Sequence, residues 1–296
     1  MVSPNSAGLF QAAVIESGPC DLVALQDDAF AQGADLATAV GCQADDLACL
    51  RALPFETVMT ALPATDFSVT GGGRSWYPMV DGYELTELPS ASLAKGTFTK
   101  VPTILGTNSD EGSLFFSLGG TMIETEAELE ALAEGFAPGH GAEIVAEYAA
   151  PEYPTPQDAA IAAVGDAGFV CPTRRAARAL SAAGVPTHLY HFTYGPTSLF
   201  GDLGAFHSSE IKFVLGNPGQ LLPSPLTEDE QKLSSAIMGY WSRLGTTFDP
   251  NGEGALAWPA YAAATDEHLV LDLELSVQTG LRKERCAFWD ALQTSP

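Results

Sequence analysis

The sequence predicts an α/β protein in which a mostly parallel sheet is flanked by helices. Short apolar runs rich in β-branched residues alternate along the chain with longer segments of helical periodicity, and turn residues separate the two kinds of segment. This alternation is typical of parallel sheets covered on both faces. No internal repeat and no linker-like stretch is visible, so we expect a single unit spanning residues 1–296.

Four segments have the features of buried strands. Residues 9–17 are mainly apolar and end in a Ser-Gly-Pro turn, and residues 101–106 form a short β-branched run. Residues 188–194 show strand alternation, and residues 269–273 are again apolar. These four predicted strands are fewer than a buried parallel sheet needs.

Helices are predicted where apolar residues recur at helical spacing between the strands. The segment 227–245 begins with a capping box, because Thr227 precedes Glu230 by three residues. The Ala-rich stretch 157–184 is expected to be helical but interrupted at Cys171-Pro172, since proline lacks an amide donor. The other predicted helices cover residues 23–40, 45–53, 55–62, 124–135 and 281–292.

The charge of the chain argues against two classes of partner. The sequence has 37 acidic and 13 basic residues, a formal net charge of -24. This balance repels phosphate backbones and anionic lipids, so neither nucleic acid nor a membrane surface is an expected partner. No apolar stretch approaches the length of a membrane span, and residues 1–5 lack the features of an export signal.

Two polar residues stand in contexts that suggest acid–base chemistry. Glu111 follows the strand predicted at residues 101–106, and His207 lies between two glycines at 204 and 216. A hydroxyl nucleophile needs a histidine to accept its proton and a carboxylate to orient that histidine. An acid that precedes the histidine in the chain is one of the orders used by hydrolase triads.

The nucleophile of such a set has no good candidate. No serine stands in a G-x-S-x-G frame, and Ser75 lacks the second glycine that a sharp strand-to-helix elbow needs. Considered alone, Glu111 could be an exposed carboxylate at a helix start, where the backbone dipole favours acidic side chains. His207 could likewise be an ordinary hydrogen-bonded loop histidine.

The order of these segments resembles the C-terminal portion of a type-B carboxylesterase, the family of carboxylesterases, para-nitrobenzyl esterases and cholinesterases. The resemblance extends over nearly every residue and depends on the joint order of several short segments, each weak alone. It implies the C-terminal part of one α/β-hydrolase domain, with the N-terminal strands absent. The matching segments are residues 3–10, 17–18, 42–51, 78–82, 106–112, 165–172, 207–216 and 286–289.

The resemblance implies a serine esterase that works through an acyl-enzyme, with Glu111 as the orienting acid and His207 as the general base. In that family the serine lies in a Gly-Glu-Ser-Ala-Gly segment, which the match of Ser3-Pro4 places roughly ten residues before Met1. We therefore expect the chain to be inactive alone, with a small-molecule ester as substrate and the N-terminal half of the same domain as partner. No cofactor or metal is implied. The alternative function is a non-catalytic binding or adhesion module.

Three further positions match family residues that support the histidine, and two aromatic residues could line a pocket. Ser17, Asp166 and Glu210 resemble a buried polar set that would fix the catalytic imidazole. Their alternative roles are a strand-end hydroxyl, a helix cap and a surface glutamate. Phe115 and Phe116 could line the acyl side of a pocket or belong to the core.

The cysteines suggest a compartment. By resemblance Cys42 pairs with Cys49 and Cys171 with Cys286, which leaves Cys20 over. Disulfides predict a secreted or periplasmic protein, whereas four reduced and buried thiols would fit a cytoplasmic enzyme.

Overall fold

A five-stranded sheet forms the centre of the computed structural model, which describes residues 1–18, 21–62, 76–149, 151–217, 219 and 222–293. In spatial order its strands are β1 (Ala13–Glu16), β4 (Thr103–Asn108), β5 (Thr187–Phe192), β6 (Glu267–Leu271) and β7 (Ser276–Thr279). The first four are parallel and β7 is antiparallel, which confirms the predicted mostly parallel sheet. A second, two-stranded sheet pairs β2 (Ala24–Leu25) with β3 (Met79–Val80). Cys20 and Ser75 lie outside the described residues.

Helices cover both faces of the large sheet. They are α1 (Gln26–Ala39), α2 (Leu47–Ala52), α3 (Phe55–Thr60), α4 (Pro89–Lys95), α5 (Ser113–Gly119), α6 (Glu126–Phe136), α7 (Gly141–Glu147), α8 (Pro156–Gly165), α9 (Cys171–Ala182), α10 (Ile211–Leu215), α11 (Glu228–Thr247) and α12 (Lys283–Gln293). Leu105 and Leu189 pack with α6 to α9 and α12, whereas Ile104 and Tyr190 pack with α10 and α11. None of the helices within the described ranges is long and apolar enough to cross a membrane.

The long apolar elements match their predictions, whereas several short elements were missed. Helix α11 begins as predicted, with Thr227 accepting from the main chain of Glu230 and donating its own main-chain N–H to the Glu230 carboxylate. Strand β7 was missed because its sequence, Ser-Val-Gln-Thr, is mostly polar. Helices α4, α5, α7 and α10, of five to seven residues, were missed, whereas α2 and α3, of six residues each, were predicted. Periodicity is an unreliable signal in elements this short.

The first predicted strand is shorter and more exposed than its sequence suggests. β1 covers Ala13–Glu16 rather than residues 9–17, and it lies at the edge of the sheet, paired with β4 alone among the described strands. Val14 is 38% exposed and Leu9 is 76% exposed. The prediction of a buried strand was wrong because apolar composition does not distinguish an edge strand from a central one.

The predicted interruption at Cys171-Pro172 was also wrong. A π-helical turn over Asp166–Val170 connects α8 directly to α9, and Pro172 lies in the first turn of α9. Proline is compatible with this position because the main-chain hydrogen bonds change there from the π-helical pattern, in which the Cys171 N–H donates to Asp166, to the α-helical pattern of α9. The helical path therefore continues through the proline.

Within the described residues, one disulfide closes a short loop and a second joins distant parts of the chain. Cys42 is bonded to Cys49 across seven residues, and Cys171 is bonded to Cys286 across 115 residues. The longer bond attaches α12 to the start of α9 in the middle of a core cluster.

We expect the long disulfide to contribute more stability than the short one. A disulfide stabilises the folded protein because it lowers the entropy of the unfolded chain, and this effect grows with the length of the closed loop. The free energy of unfolding should therefore fall by about 5 kcal/mol in C171A/C286A and by about 2–3 kcal/mol in C42A/C49A. Urea unfolding of the two variants and the wild type measures both values. Equal losses would contradict this expectation.

Candidate active site

Glu111 lies in the turn between β4 and α5, at the carboxyl end of the sheet, and is fully buried. Its Oε1 accepts hydrogen bonds from the main-chain N–H of Asn108 at 2.8 Å and from the hydroxyl of Ser17. Its Oε2 lies 2.6 Å from His207 Nδ1. The alternative of an exposed turn carboxylate is therefore wrong.

The loop that carries His207 is joined to the turn that carries Glu111. The main-chain N–H of Asp110 donates to the Ala205 carbonyl at 3.0 Å, and the Asp110 carboxylate accepts from the Ala205 N–H at 3.0 Å. Gly204 has a φ of +62°, and a Cβ at this position would lie 2.6 Å from Asp110 Cγ. Glycine is required here because any side chain would displace the Asp110 carboxylate.

Two residues of the site have backbone conformations that non-glycine residues rarely adopt. Ser17, which binds Glu111, has a φ of 49°, and Ser208, which follows His207, has a φ of 72°. Such conformations persist only where surrounding contacts enforce them, and they are frequent at functional sites.

The imidazole of His207 is partly exposed and lies against two aromatic rings that stack on each other. Its side chain is 27% exposed, and its ring centroid lies 5.2 Å from that of Phe115 and 4.9 Å from that of Phe169. Because Nδ1 faces Glu111, Nε2 is directed away from the carboxylate. Burial opposes protonation, but the hydrogen bond and charge of Glu111 outweigh it, so the pKa of His207 is raised. The contact with Glu111 therefore stabilises the protonated imidazole more than water would.

A second buried carboxylate adjoins the pair. The Asn108 amide donates both to Glu210 Oε2 and, at 2.8 Å, to the carbonyl of Phe206. Burial raises the pKa of Glu210 to about 7, and the charge of Glu111 adds to this effect while the Asn108 hydrogen bond opposes it. Glu210 is 2% exposed. This carboxyl group therefore titrates near neutral pH.

The predicted supporting residues divide into two groups. Ser17 contacts Glu111 and Glu210 contacts Asn108, so both lie in the network around the histidine. Phe115 faces the imidazole, whereas Phe116 is buried among apolar core residues.

Asp166 does not belong to this network. Its carboxylate accepts from the hydroxyl of Tyr148 at 2.7 Å and from Arg282 Nε at 2.9 Å. Asp166 therefore anchors α12 and its preceding turn to the π-helical turn, and its predicted place beside the imidazole was wrong.

Asn108 and Phe169 are site residues that sequence reasoning missed. Asn108 had a detectable signal, because it is the polar residue that ends a buried strand three positions before Glu111. Phe169 had none, since its direction depends on the π-helical turn over Asp166–Val170. In the part of the chain that the structure describes, no group of three or more His, Cys, Asp or Glu residues is arranged to hold a metal ion.

The sequence of the chain was compared with those of known protein families. The model of the carboxylesterase family matches residues 1–289 of the 296. The chain belongs to the carboxylesterase family. Membership implies the α/β-hydrolase fold, and the mostly parallel sheet flanked by helices agrees with it.

Among curated proteins, the chain is similar to three carboxylesterases that share one name. Carboxylesterase 5A of Felis catus is 33% identical over 98% of this chain and 56% of the relative. Carboxylesterase 5A of Canis lupus familiaris is 31% identical, and that of Homo sapiens is 28% identical, each over 98% of this chain and 53% of the relative. The chain thus spans about half the length of the carboxylesterases it matches.

Replacement of Gly204 should damage the junction between the two loops. G204A forces Cβ against Asp110 in a left-handed conformation and should cost about 3 kcal/mol of unfolding free energy. The matched control is G201A in the same loop, where φ is +92° but nothing lies within 4 Å of the added Cβ. G201A should cost only about 1–2 kcal/mol. Equal losses in urea unfolding would show that the contact with Asp110 is unimportant.

The buried Glu210 should make the protein less stable as the pH rises. Between its ordinary pKa of 4.5 and its raised pKa of about 7, the folded state keeps a proton that the unfolded state releases. Stability from this group is therefore lost from about pH 4.5 to pH 7, by roughly 2–3 kcal/mol. The difference in unfolding free energy between wild type and E210Q, measured at pH 4.5 and pH 8, isolates this effect. A difference that is constant with pH would contradict it.

Proposed function

We propose that this chain provides the acid and the general base of a carboxylic-ester hydrolase that works through an acyl-enzyme. The observation that carries the proposal is the 2.6 Å contact between a fully buried Glu111 and Nδ1 of a partly exposed His207. The family match supports the reaction class.

The proposed roles follow from the geometry. Glu111 binds Nδ1 and so holds the proton there, which leaves Nε2 as the acceptor for the proton of a serine hydroxyl. Protonation of the imidazole is favoured because the bonded carboxylate raises the pKa of His207. The same Nε2 proton then passes to the departing alcohol, and deacylation repeats the sequence with water as the nucleophile.

The nucleophilic serine is assigned to a segment outside these 296 residues, which packs against β1. The outer edge of β1 pairs with no other described strand, and exposed main-chain groups at a sheet edge favour addition of a strand. Leu9 and Val14 add exposed apolar surface there. The length of the curated relatives, about twice that of this chain, supports such a segment.

A small-molecule ester is the proposed substrate. The net charge of -24 makes nucleic acid an unfavourable partner. The two disulfides are consistent with a secreted or extracellular protein, because such bonds persist in oxidising compartments.

Hydrolysis of a short-chain nitrophenyl ester tests the proposal. We expect no turnover by this chain alone and turnover by the protein that includes the upstream coding sequence. In the longer protein, H207Q and E111Q should each lower kcat by roughly 10³-fold or more with little change in KM.

The control is H140Q, a surface histidine 3.4 Å from Glu143, which should leave kcat unchanged. A longer protein that contains the serine but hydrolyses no ester would favour the non-catalytic binding module instead. Turnover by this chain alone would refute the assignment of the serine to another segment.

A further inference from the structure

Asn108 contacts three separate parts of the site. Its main-chain N–H binds Glu111, and its side-chain amide binds both the Phe206 carbonyl, immediately before His207, and the carboxylate of Glu210. It is fully buried at the end of β4. The acid, the histidine loop and the second carboxylate are therefore all connected through one residue.

We propose that Asn108 is a positioning residue, which fixes the histidine loop and favours the ionised form of Glu210 beside the Glu111–His207 pair. This inference deepens the proposed function and depends on it only for its relevance to catalysis. The contacts themselves exist whether or not the chain supports hydrolysis.

The surroundings of Glu210 explain why an amide donor matters. Glu111 and Glu16 both place negative charge nearby, and the ring of Tyr190 on β5 packs over Gly106 of β4. Lys212, on the following helix, is 3.9 Å from Glu230 instead. Donation from Asn108 is therefore the contact that most favours the ionised form of Glu210.

The charge on Glu210 acts in turn on the imidazole. It contributes to the raised pKa of His207, together with the larger effect of Glu111. Loss of the Asn108 amide should therefore move two titrations in opposite directions: the pKa of Glu210 rises, and the pKa of His207 falls.

A purely structural role for Asn108 is less consistent with its contacts. Its Oδ1 is buried and has no hydrogen-bond partner in the described part of the chain, so the amide is only partly satisfied. A hydrophobic side chain at this position would leave no unpaired amide oxygen. What only an amide supplies here is the pair of hydrogen bonds from Nδ2.

N108L tests the proposal in the full 296-residue chain. Titration of the imidazole nitrogens of His207 and of the carboxyl carbon of Glu210 is followed by NMR, with H207Q and E210Q used for assignment. We expect the pKa of His207 to fall and that of Glu210 to rise, each by about one unit. Exchange of the Ser208 and Ser209 amide protons should accelerate roughly tenfold, since the loop loses a hydrogen bond.

T107V is the matched control. Thr107 is the preceding residue of β4, is fully buried, and has a hydroxyl without a partner among the described residues. Its side chain points to the opposite face of the sheet, so neither titration should move. In the double variant N108L/E210Q, the pKa of His207 should match that of E210Q alone.

The proposal is overturned if N108L moves the two titrations no more than T107V does, or moves both in the same direction. N108A makes the same prediction without the risk of overpacking if N108L does not fold. Because no step requires ester hydrolysis, a failure here is distinguishable from a failure of the proposed function.

Discussion

The buried carboxylate of Glu111 is the constraint on which the rest of the site depends. A charge removed from water is stable only where it is paired and hydrogen-bonded. Its partners come from three parts of the chain: the end of β4, Ser17 after β1, and the loop of His207. Parallel pairing of β1, β4 and β5 brings these parts together, because parallel strands end at the same edge of a sheet.

The burial of Glu111 also affects the charges of the residues around it. Glu111 and Glu210 lie close enough to influence each other, and His207 is the group in this network that becomes positive when it is protonated. Amide and hydroxyl donors from Asn108 and Ser17 offset part of the repulsion without adding charge. The network therefore contains a carboxyl group whose pKa is raised to about 7 and an imidazole whose pKa is also raised.

Sequence reasoning located Glu111, His207, Ser17 and Glu210 because each lies in a short segment of recognisable order. Asp166 was placed wrongly for a physical reason. Its neighbour Gly165 lies against Glu111, with only 3.7 Å between an added Cβ and the Cβ of Glu111, but the Asp166 carboxylate points to Arg282. Neighbouring residues of a helix point in different directions, so Gly165 faces the active-site network while Asp166 faces the ion pair with Arg282.

The sequence by itself determined the α/β class, the long helices and strands, the family and the residues that could serve as acid and base, since these follow from local periodicity and short motifs. Only the tertiary structure decided which polar side chains meet. The edge position of β1, the π-helical turn that places Phe169 beside His207, and the contacts of Asn108 all depend on packing between distant segments. Such contacts have no local signature, because the direction of a side chain is set by the elements packed against it rather than by its neighbours in the chain.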